Sequence, residues 1–172
     1  MGCCQTASST INNSGRVTLG RLKSIYTISS QILGAGSFGK VFLGHNKKNL
    51  EHKVAIKVIS KAKFAKELDF IRQEFRILST LDHPNIVKYY ETYEDAKYLY
   101  MVMEHCPGGE LLDRVTNRSN FNELEASIIM KDIFRAINHC HSLNIAHRDI
   151  KPENLMYGED SRIKLIDFGL AK

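Results

Sequence analysis

Several short strings in this chain carry side chains suited to handling phosphate. The first is Gly34-Ala35-Gly36-Ser37-Phe38-Gly39-Lys40-Val41. Its three glycines let a backbone turn approach phosphates closely and offer them its N–H groups. Alone, the string also fits a dinucleotide-binding fingerprint or a loose hairpin. Lys40-Val41-Phe42-Leu43 has strand character where a dinucleotide fold needs a helix, which speaks against hydride transfer.

Val54-Ala55-Ile56-Lys57 follows. Strand alternation puts Ala55 and Lys57 on one face and Val54, Ile56 and Val58 on the other. The small Ala55 leaves room for a flat ring, and Lys57 could reach that ring's phosphates. By itself Lys57 is no more than a solvated strand lysine, but Glu74 tips the balance. It falls on the apolar stripe of its own predicted helix, three residues after Ile71 and four before Leu78. A carboxylate there needs a partner, because breaking a buried pair costs about 3–5 kcal/mol. Lys57 is the natural partner; otherwise Glu74 sits at the stripe's edge and reaches water.

The most specific string is His147-Arg148-Asp149-Ile150-Lys151-Pro152-Glu153-Asn154, followed thirteen residues after Asn154 by Asp167-Phe168-Gly169. A hairpin centred between Asp160 and Ser161 would set Asn154 opposite Asp167. Two oxygen ligands would then face one site suited to Mg²⁺, usually held by one or two carboxylates plus substrate phosphates. Asp149 stands just upstream, free to orient a hydroxyl nucleophile and accept its proton. Each polar residue alone could be a loop cap, but that does not explain the set.

These residues need elements to position them. Strands are expected over 26–33 and 40–43 around the glycine turn, and over 53–59. Leu68, Ile71, Phe75 and Leu78 have helical spacing within 63–81, ended by Asp82-His83-Pro84-Asn85. Strands over 87–91 and 98–104 come next, then a hinge at Pro107-Gly108-Gly109. Beyond it a short helix over 110–115 and a longer one over 123–143 are expected. The longer opens on Asn122 with Glu125 three residues on, a capping-box-like start, and carries Ile129, Ile133, Ala136, Ile137 and Cys140 as a stripe. The predicted hairpin joins 154–157 to 163–167. The fold class is α+β: β-rich first, helix-rich after the hinge.

The chain has 172 residues, 43% hydrophobic and 25% charged, ordinary values for a globular domain. No apolar run is long enough to cross a bilayer. Lys and Arg number 24 against 19 Asp and Glu, a formal charge of +5. Arg16, Arg21 and Lys23 supply +3 of it within residues 1–30, so the remainder is too nearly balanced to suggest a nucleic-acid partner. Adjacent Cys3 and Cys4 and single Cys106 and Cys140 give neither a disulfide framework nor zinc-ligand spacing, and point to a reducing compartment. Residues 1–24, rich in Ser, Thr, Asn and Gly, read as a flexible tail.

From Tyr26 to the C-terminus the sequence resembles the eukaryotic protein kinases. The resemblance rests on the glycine-rich string, Val-Ala-Ile-Lys, the helix glutamate, His-Arg-Asp and Asp-Phe-Gly, in that order. It implies a bilobal fold: small lobe 25–104, hinge 105–109, and the start of a large lobe over 110–172, truncated after Asp-Phe-Gly. Leu33, Gly34, Ala35, Gly36, Ser37, Phe38, Gly39, Val41 and Ala55 would surround ATP. Lys57, paired to Glu74, would contact its α- and β-phosphates. Met103 matches the gatekeeper behind the adenine, Glu104 and Cys106 the hinge backbone contacts, and Glu110 the residue near the ribose. Asp149 would be the catalytic base, Lys151 would stabilise the transferring phosphoryl group, and Asn154 and Asp167 would hold Mg²⁺.

Lys151 within Lys-Pro-Glu-Asn is the serine/threonine-kinase pattern, and Glu110 and Glu153 match positions that bind substrate arginine, implying basic substrates. Arg148 matches the arginine that pairs with a phosphorylated activation loop, and the catalytic half is similar to the calcium/calmodulin-regulated group. An alternative is a nucleotide-binding or scaffold fragment without catalysis. Met1-Gly2-Cys3-Cys4-Gln5-Thr6 fits N-myristoylation at Gly2, with palmitoylation at Cys3 or Cys4 as the second anchor. An acylated tail on such a kinase looks like the calcium-dependent protein kinases, and implies a cytoplasmic protein at a membrane face. No EF-hand loop occurs in these residues, so calcium control would lie in other segments.

Overall fold

The computed structural model describes residues 19–36, 38–117 and 122–172. It opens with a short helix, α1 (Leu19–Ile25), and then five strands: β1 (Tyr26–Gly36), β2 (Gly39–Asn46), β3 (Asn49–Ser60), β4 (Tyr89–Glu94) and β5 (Tyr98–Glu104). They form one antiparallel sheet in the order β1-β2-β3-β5-β4, with helix α2 (Leu68–Thr80) inserted between β3 and β4. After the hinge come α3 (Leu111–Asn117), α4 (Glu123–Ser142), a 3-10 turn at Pro152–Asn154, and the hairpin β6 (Leu155–Tyr157) and β7 (Ile163–Leu165).

Period-two alternation gives the sheet two different faces. Val54, Ile56, Tyr93, Tyr100 and Val102 bury one face against Leu22 of α1. Ile59, Leu99 and Met101 bury the other against Ile71, Phe75 and Leu78 of α2. That second core continues through Ile86 and Val87 into Ile133, Ala136 and Cys140 of α4 and Leu155, Leu165 and Phe168. A single apolar cluster therefore joins the sheet to the helical part, and the polar residues of interest lie along its edge.

Several expected boundaries move. The segment read as tail includes α1, whose Leu22 is fully buried on the sheet; one leucine was too little periodicity to reveal it. The expected helix over 63–81 begins only at Leu68. Residues 61–67 turn instead, with the Phe64 amide donating to the Ser60 carbonyl at 3.2 Å and that of Glu67 to Phe64 at 3.1 Å. The strand expected over 87–91 starts at Tyr89, because the Val87 amide donates to the Leu165 carbonyl at 3.0 Å and fastens the approach to β4 onto β7. For α4 the expected start holds: Asn122 Oδ1 accepts the Glu125 amide at 2.9 Å.

The β6–β7 register differs from the expected one by a single residue. Leu155 faces Leu165 and Tyr157 faces Ile163, so the hairpin is centred on Asp160. Its turn is one residue shorter than the expected register needs, with Ser161 left-handed at φ 61° and the Gly158 amide donating to the Arg162 carbonyl at 2.9 Å. Asn154 is thereby bonded to Ile166, whose amide donates to the Asn154 carbonyl at 2.9 Å, and is not opposite Asp167.

Candidate active site

Lys57 sits in mid-sheet, opposite Val41 on one side and Met101 on the other. Its ammonium donates to Glu74 Oε1 of α2 at 2.7 Å, with both side chains buried. Burial pushes the Glu74 carboxyl up, and the Lys57 charge opposes that rise. Glu74 Oε2 is also buried, and among the described residues no donor reaches it.

The glycine turn between β1 and β2 closes down beside this pair. A Cβ at Gly39 would run into the Val58 carbonyl, so only glycine lets β2 begin there. Phe38 at the turn's tip meets Phe64 edge-on, with centroids 5.7 Å apart. A Cβ on Gly169 would lie 3.5 Å from Phe38 Cε2 and 3.9 Å from Glu74 Oε2. The glycine turn, the Lys57–Glu74 pair and the Asp167-Phe168-Gly169 turn thus meet at one place. Gly34, Ala35, Gly36 and Val41 lie on the same two strands, with Ile32 opposite Phe42 just ahead of Leu33. Ser37 lies outside the described residues.

Asp149 carries several contacts. Its Oδ2 accepts Lys151 Nζ at 2.9 Å and Asn154 Nδ2 at 2.8 Å, and its carbonyl accepts Asn154 Nδ2 as well. These hydrogen bonds hold the Asp149 carboxyl below the usual range and raise Lys151. The Asp149 amide donates to His147 Nδ1 at 3.3 Å, while His147 Nε2 faces the Ile166 carbonyl at 3.1 Å. That arrangement suits a neutral imidazole protonated at Nε2, and burial lowers the His147 pKa accordingly. Its ring packs edge-on against fully buried Phe168, with centroids 4.5 Å apart.

Two non-glycine residues here are left-handed: Arg148 at φ 64° and Asp167 at φ 55°. Such backbone costs of order 1–3 kcal/mol and persists only where its surroundings fix it. Arg148 Nε donates to the Leu170 carbonyl at 2.7 Å, and Asp167 Oδ1 accepts the Gly169 amide at 3.2 Å. Asp167 still acts electrostatically on both Glu74 and Lys151.

Asn154 and Asp167 supply a hard-oxygen donor set. Because Asn154 turns its side-chain Nδ2 toward Asp149, its Oδ1 remains for another partner, and the Asp167 turn adds a carboxylate. One carboxylate and one amide oxygen fit Mg²⁺, which completes its shell with water and phosphate oxygens. No group of three or more His, Cys, Asp or Glu side chains among the described residues forms a self-sufficient metal site.

At the hinge, Ala55 pairs with Met103, and Glu104 closes β5 opposite Val54. Cys106 is buried, and desolvation raises its thiol to about 12. Glu110 is exposed and bridges Met156 of β6. Glu153 is exposed on the 3-10 turn. Gly2, Cys3 and Cys4 lie outside the described residues. Sequence reading missed the 2.9 Å pair between Glu104 and Lys164. Lys164 falls within the predicted hairpin but carries no motif of its own.

A family model described as protein kinase domain matches residues 27–172. Calcium-dependent protein kinase 3 of Plasmodium yoelii yoelii is 45% identical over 155 residues, covering 88% of this chain and 28% of that protein. Calcium/calmodulin-dependent protein kinase type 1 of Macrobrachium nipponense is 40% identical over 148 residues, covering 84% and 43%. A Dictyostelium discoideum protein named Probable serine/threonine-protein kinase MARK-A is 42% identical over 166 residues, covering 96% and 15%. The chain spans less than half the length of each of these relatives.

Proposed function

This chain belongs to the protein kinase family, and we propose on that premise that it binds ATP and supplies the groups that pass its γ-phosphoryl to a serine or threonine hydroxyl. One observation carries the reading: the buried Lys57–Glu74 pair, the glycine turn and the Asp167 turn converge so closely that a single Cβ added at Gly169 would touch both Phe38 and Glu74. Lys57, oriented by Glu74, would anchor the α- and β-phosphates under the backbone amides of the glycine turn. The adenine would lie between Ala55 and the hinge, on the backbone edge of Glu104 and Cys106, with Leu33 and Met103 bounding it and Glu110 toward the ribose.

Asp149 is held as a carboxylate by Lys151 and Asn154, so at neutral pH its first task is to orient the hydroxyl and accept its proton late. Lys151, paired to that carboxylate, would meet charge developing on the transferring group. Asn154 and Asp167 would hold Mg²⁺, which when bound neutralises phosphate charge. Exposed Glu110 and Glu153 favour an acceptor peptide with arginine near its hydroxyl residue.

The Met1-Gly2-Cys3-Cys4 start supports acylation and a position at the cytoplasmic face of a membrane. Among the described residues no helix is long and apolar enough to cross one. Mass measurement of the N-terminal peptide from the cell, with Gly2→Ala as the control, tests that point: an unmodified peptide removes the anchor.

The kinase reading is tested by titrating this chain with ATP and assaying γ-phosphoryl transfer to a basic peptide, alongside Asp149→Asn. Binding and transfer by the wild type, with transfer lost in the variant, is the expected result. Undiminished transfer by the variant would sink the assigned roles; binding without transfer would favour a nucleotide-binding scaffold.

A further inference from the structure

We infer that Lys164 is a positioning residue for the adenine edge of the site, acting through the carboxylate of Glu104. This inference rests on the nucleotide-binding reading and adds a residue to it. Glu104 is the last residue of β5, where the chain leaves the sheet for the hinge. Its Oε1 takes Lys164 Nζ at 2.9 Å, and its Oε2 accepts the Lys88 amide at 3.1 Å. One carboxylate therefore ties together the end of β5, the approach to β4 and strand β7 of the helical part.

The pair is set into the molecule. The Lys164 side chain is 9% exposed and that of Glu104 18%. A Cβ at Gly158 would come within 2.8 Å of Lys164 Cε, so the turn leaves the lysine its path by having no side chain there. Four residues along the hinge a second fastening occurs, where the Gly108 amide donates to the Tyr157 carbonyl at 3.0 Å and the Tyr157 amide to the Gly109 carbonyl at 2.9 Å. The stretch from Glu104 to Gly108, which includes the edge assigned to adenine, is thus pinned at both ends to the β6–β7 hairpin. The ion pair supplies the pin at the Glu104 end. With the lysine ammonium removed, the half-buried Glu104 carboxylate would turn toward water and take the hinge backbone with it.

Lys164 pairs with the hinge carboxylate and not with Lys57 or the glycine turn, so its loss should be felt by the base and not by the phosphates. The test is calorimetric titration of the wild-type chain, Lys164→Met and Lys164→Arg with adenosine, with ATP, and with inorganic tripolyphosphate plus Mg²⁺. Expected for Lys164→Met is a loss of at least about tenfold, or about 1.4 kcal/mol, shared by adenosine and ATP, with tripolyphosphate unchanged. Lys164→Arg, which keeps the charge, should recover most of it. Adenosine binding as tight in Lys164→Met as in the wild type would overturn the inference, and so would an equal loss for tripolyphosphate, which marks a general structural fault. If Lys164→Met does not fold, Lys164→Gln carries the same comparison with the same deciding outcomes. A wild-type chain that binds neither adenosine nor ATP overturns the nucleotide reading itself, and this inference with it.

Discussion

Two lysine–carboxylate pairs of nearly equal length serve this site from opposite sides of the hinge, and their surroundings make them different objects. Lys57–Glu74 spans 2.7 Å with side chains 5% and 1% exposed; Lys151–Asp149 spans 2.9 Å with side chains 46% and 28% exposed. In the first, water is excluded, so each charge needs the other. In the second, solvent screens the attraction, and exposed pairs of that kind contribute little to stability. Distance alone therefore says nothing about what a pair is for. The buried pair holds α2 against the sheet, while the exposed pair stays open to solvent, where the proposed substrate would meet it.

The largest effect that would test this contrast is on folding. Lys57→Met leaves Glu74 buried without its partner and should destabilise the chain by about 3–5 kcal/mol in urea titrations. Replacing both, as Lys57→Met with Glu74→Leu, should restore most of that stability, because a buried pair exchanged for apolar residues is often neutral or better. Neither variant should bind ATP as the wild type does. A loss below about 1 kcal/mol for the single variant would mean that the pair is solvated and the contrast false.

Next in size is an effect on rate without one on folding. Asp149→Asn should slow phosphoryl transfer by about 10²–10⁴-fold, the usual contribution of a positioned base. Its urea midpoint should stay close to the wild-type value, since the pair is solvent-screened and an asparagine oxygen can still accept from Lys151 and Asn154. A variant that loses transfer and folding together would place Asp149 with the structural pair.

These differences also explain what could be read in advance. Lys57 and Glu74 were legible because burial leaves a trace in the sequence: an acid on an apolar stripe asks for a base, and strand alternation names the face from which it comes. The short strings around Asp149 and Asp167 were legible by local spacing. The β6–β7 register was not, because it depends on Ser161 adopting a left-handed backbone, and no periodicity records that. Helix α2 was found by its stripe, but its start was not, since the turn over 61–67 is closed by backbone hydrogen bonds at Phe64, whose ring meets Phe38, and no helical spacing records them. The Glu104–Lys164 pair joins residues sixty positions apart, and neither position breaks a pattern.

A smaller effect separates the two partners of the exposed pair. Lys151→Met should leave the urea midpoint unchanged, as Asp149→Asn does, and should lower transfer while ATP binding is kept. The Lys57 variant loses binding itself. Equal ATP affinities with unequal rates would place Lys151 on the transferring group and not on the bound nucleotide. A fall in affinity matching the fall in rate would assign it to ground-state binding.

The smallest effect concerns pH, and again burial decides it. Desolvation lowers the pKa values of His83, His105 and His147 from 6.5, His147 being the most deeply placed at 4% exposed. Between each lowered value and 6.5 the unfolded chain binds a proton that the folded chain does not. Stability therefore rises with pH through that window and falls as pH drops below 6.5, levelling once the folded histidine also protonates. Asp149 behaves otherwise: its lowered carboxyl gives a contribution already complete above the unfolded value and lost only on acidification through the folded one, well below the histidine window. Urea midpoints should accordingly be lower at about pH 5.5 than at about pH 7.5. Protonation at His147 Nδ1 removes the acceptor of the Asp149 amide, so His147→Gln should narrow that gap and Asp149→Asn should leave it as it is. Equal midpoints at both pH values would mean that none of these histidines is desolvated in the folded chain. A gap narrowed by Asp149→Asn would mean that the exposed carboxylate, and not the buried ring, governs stability near neutrality.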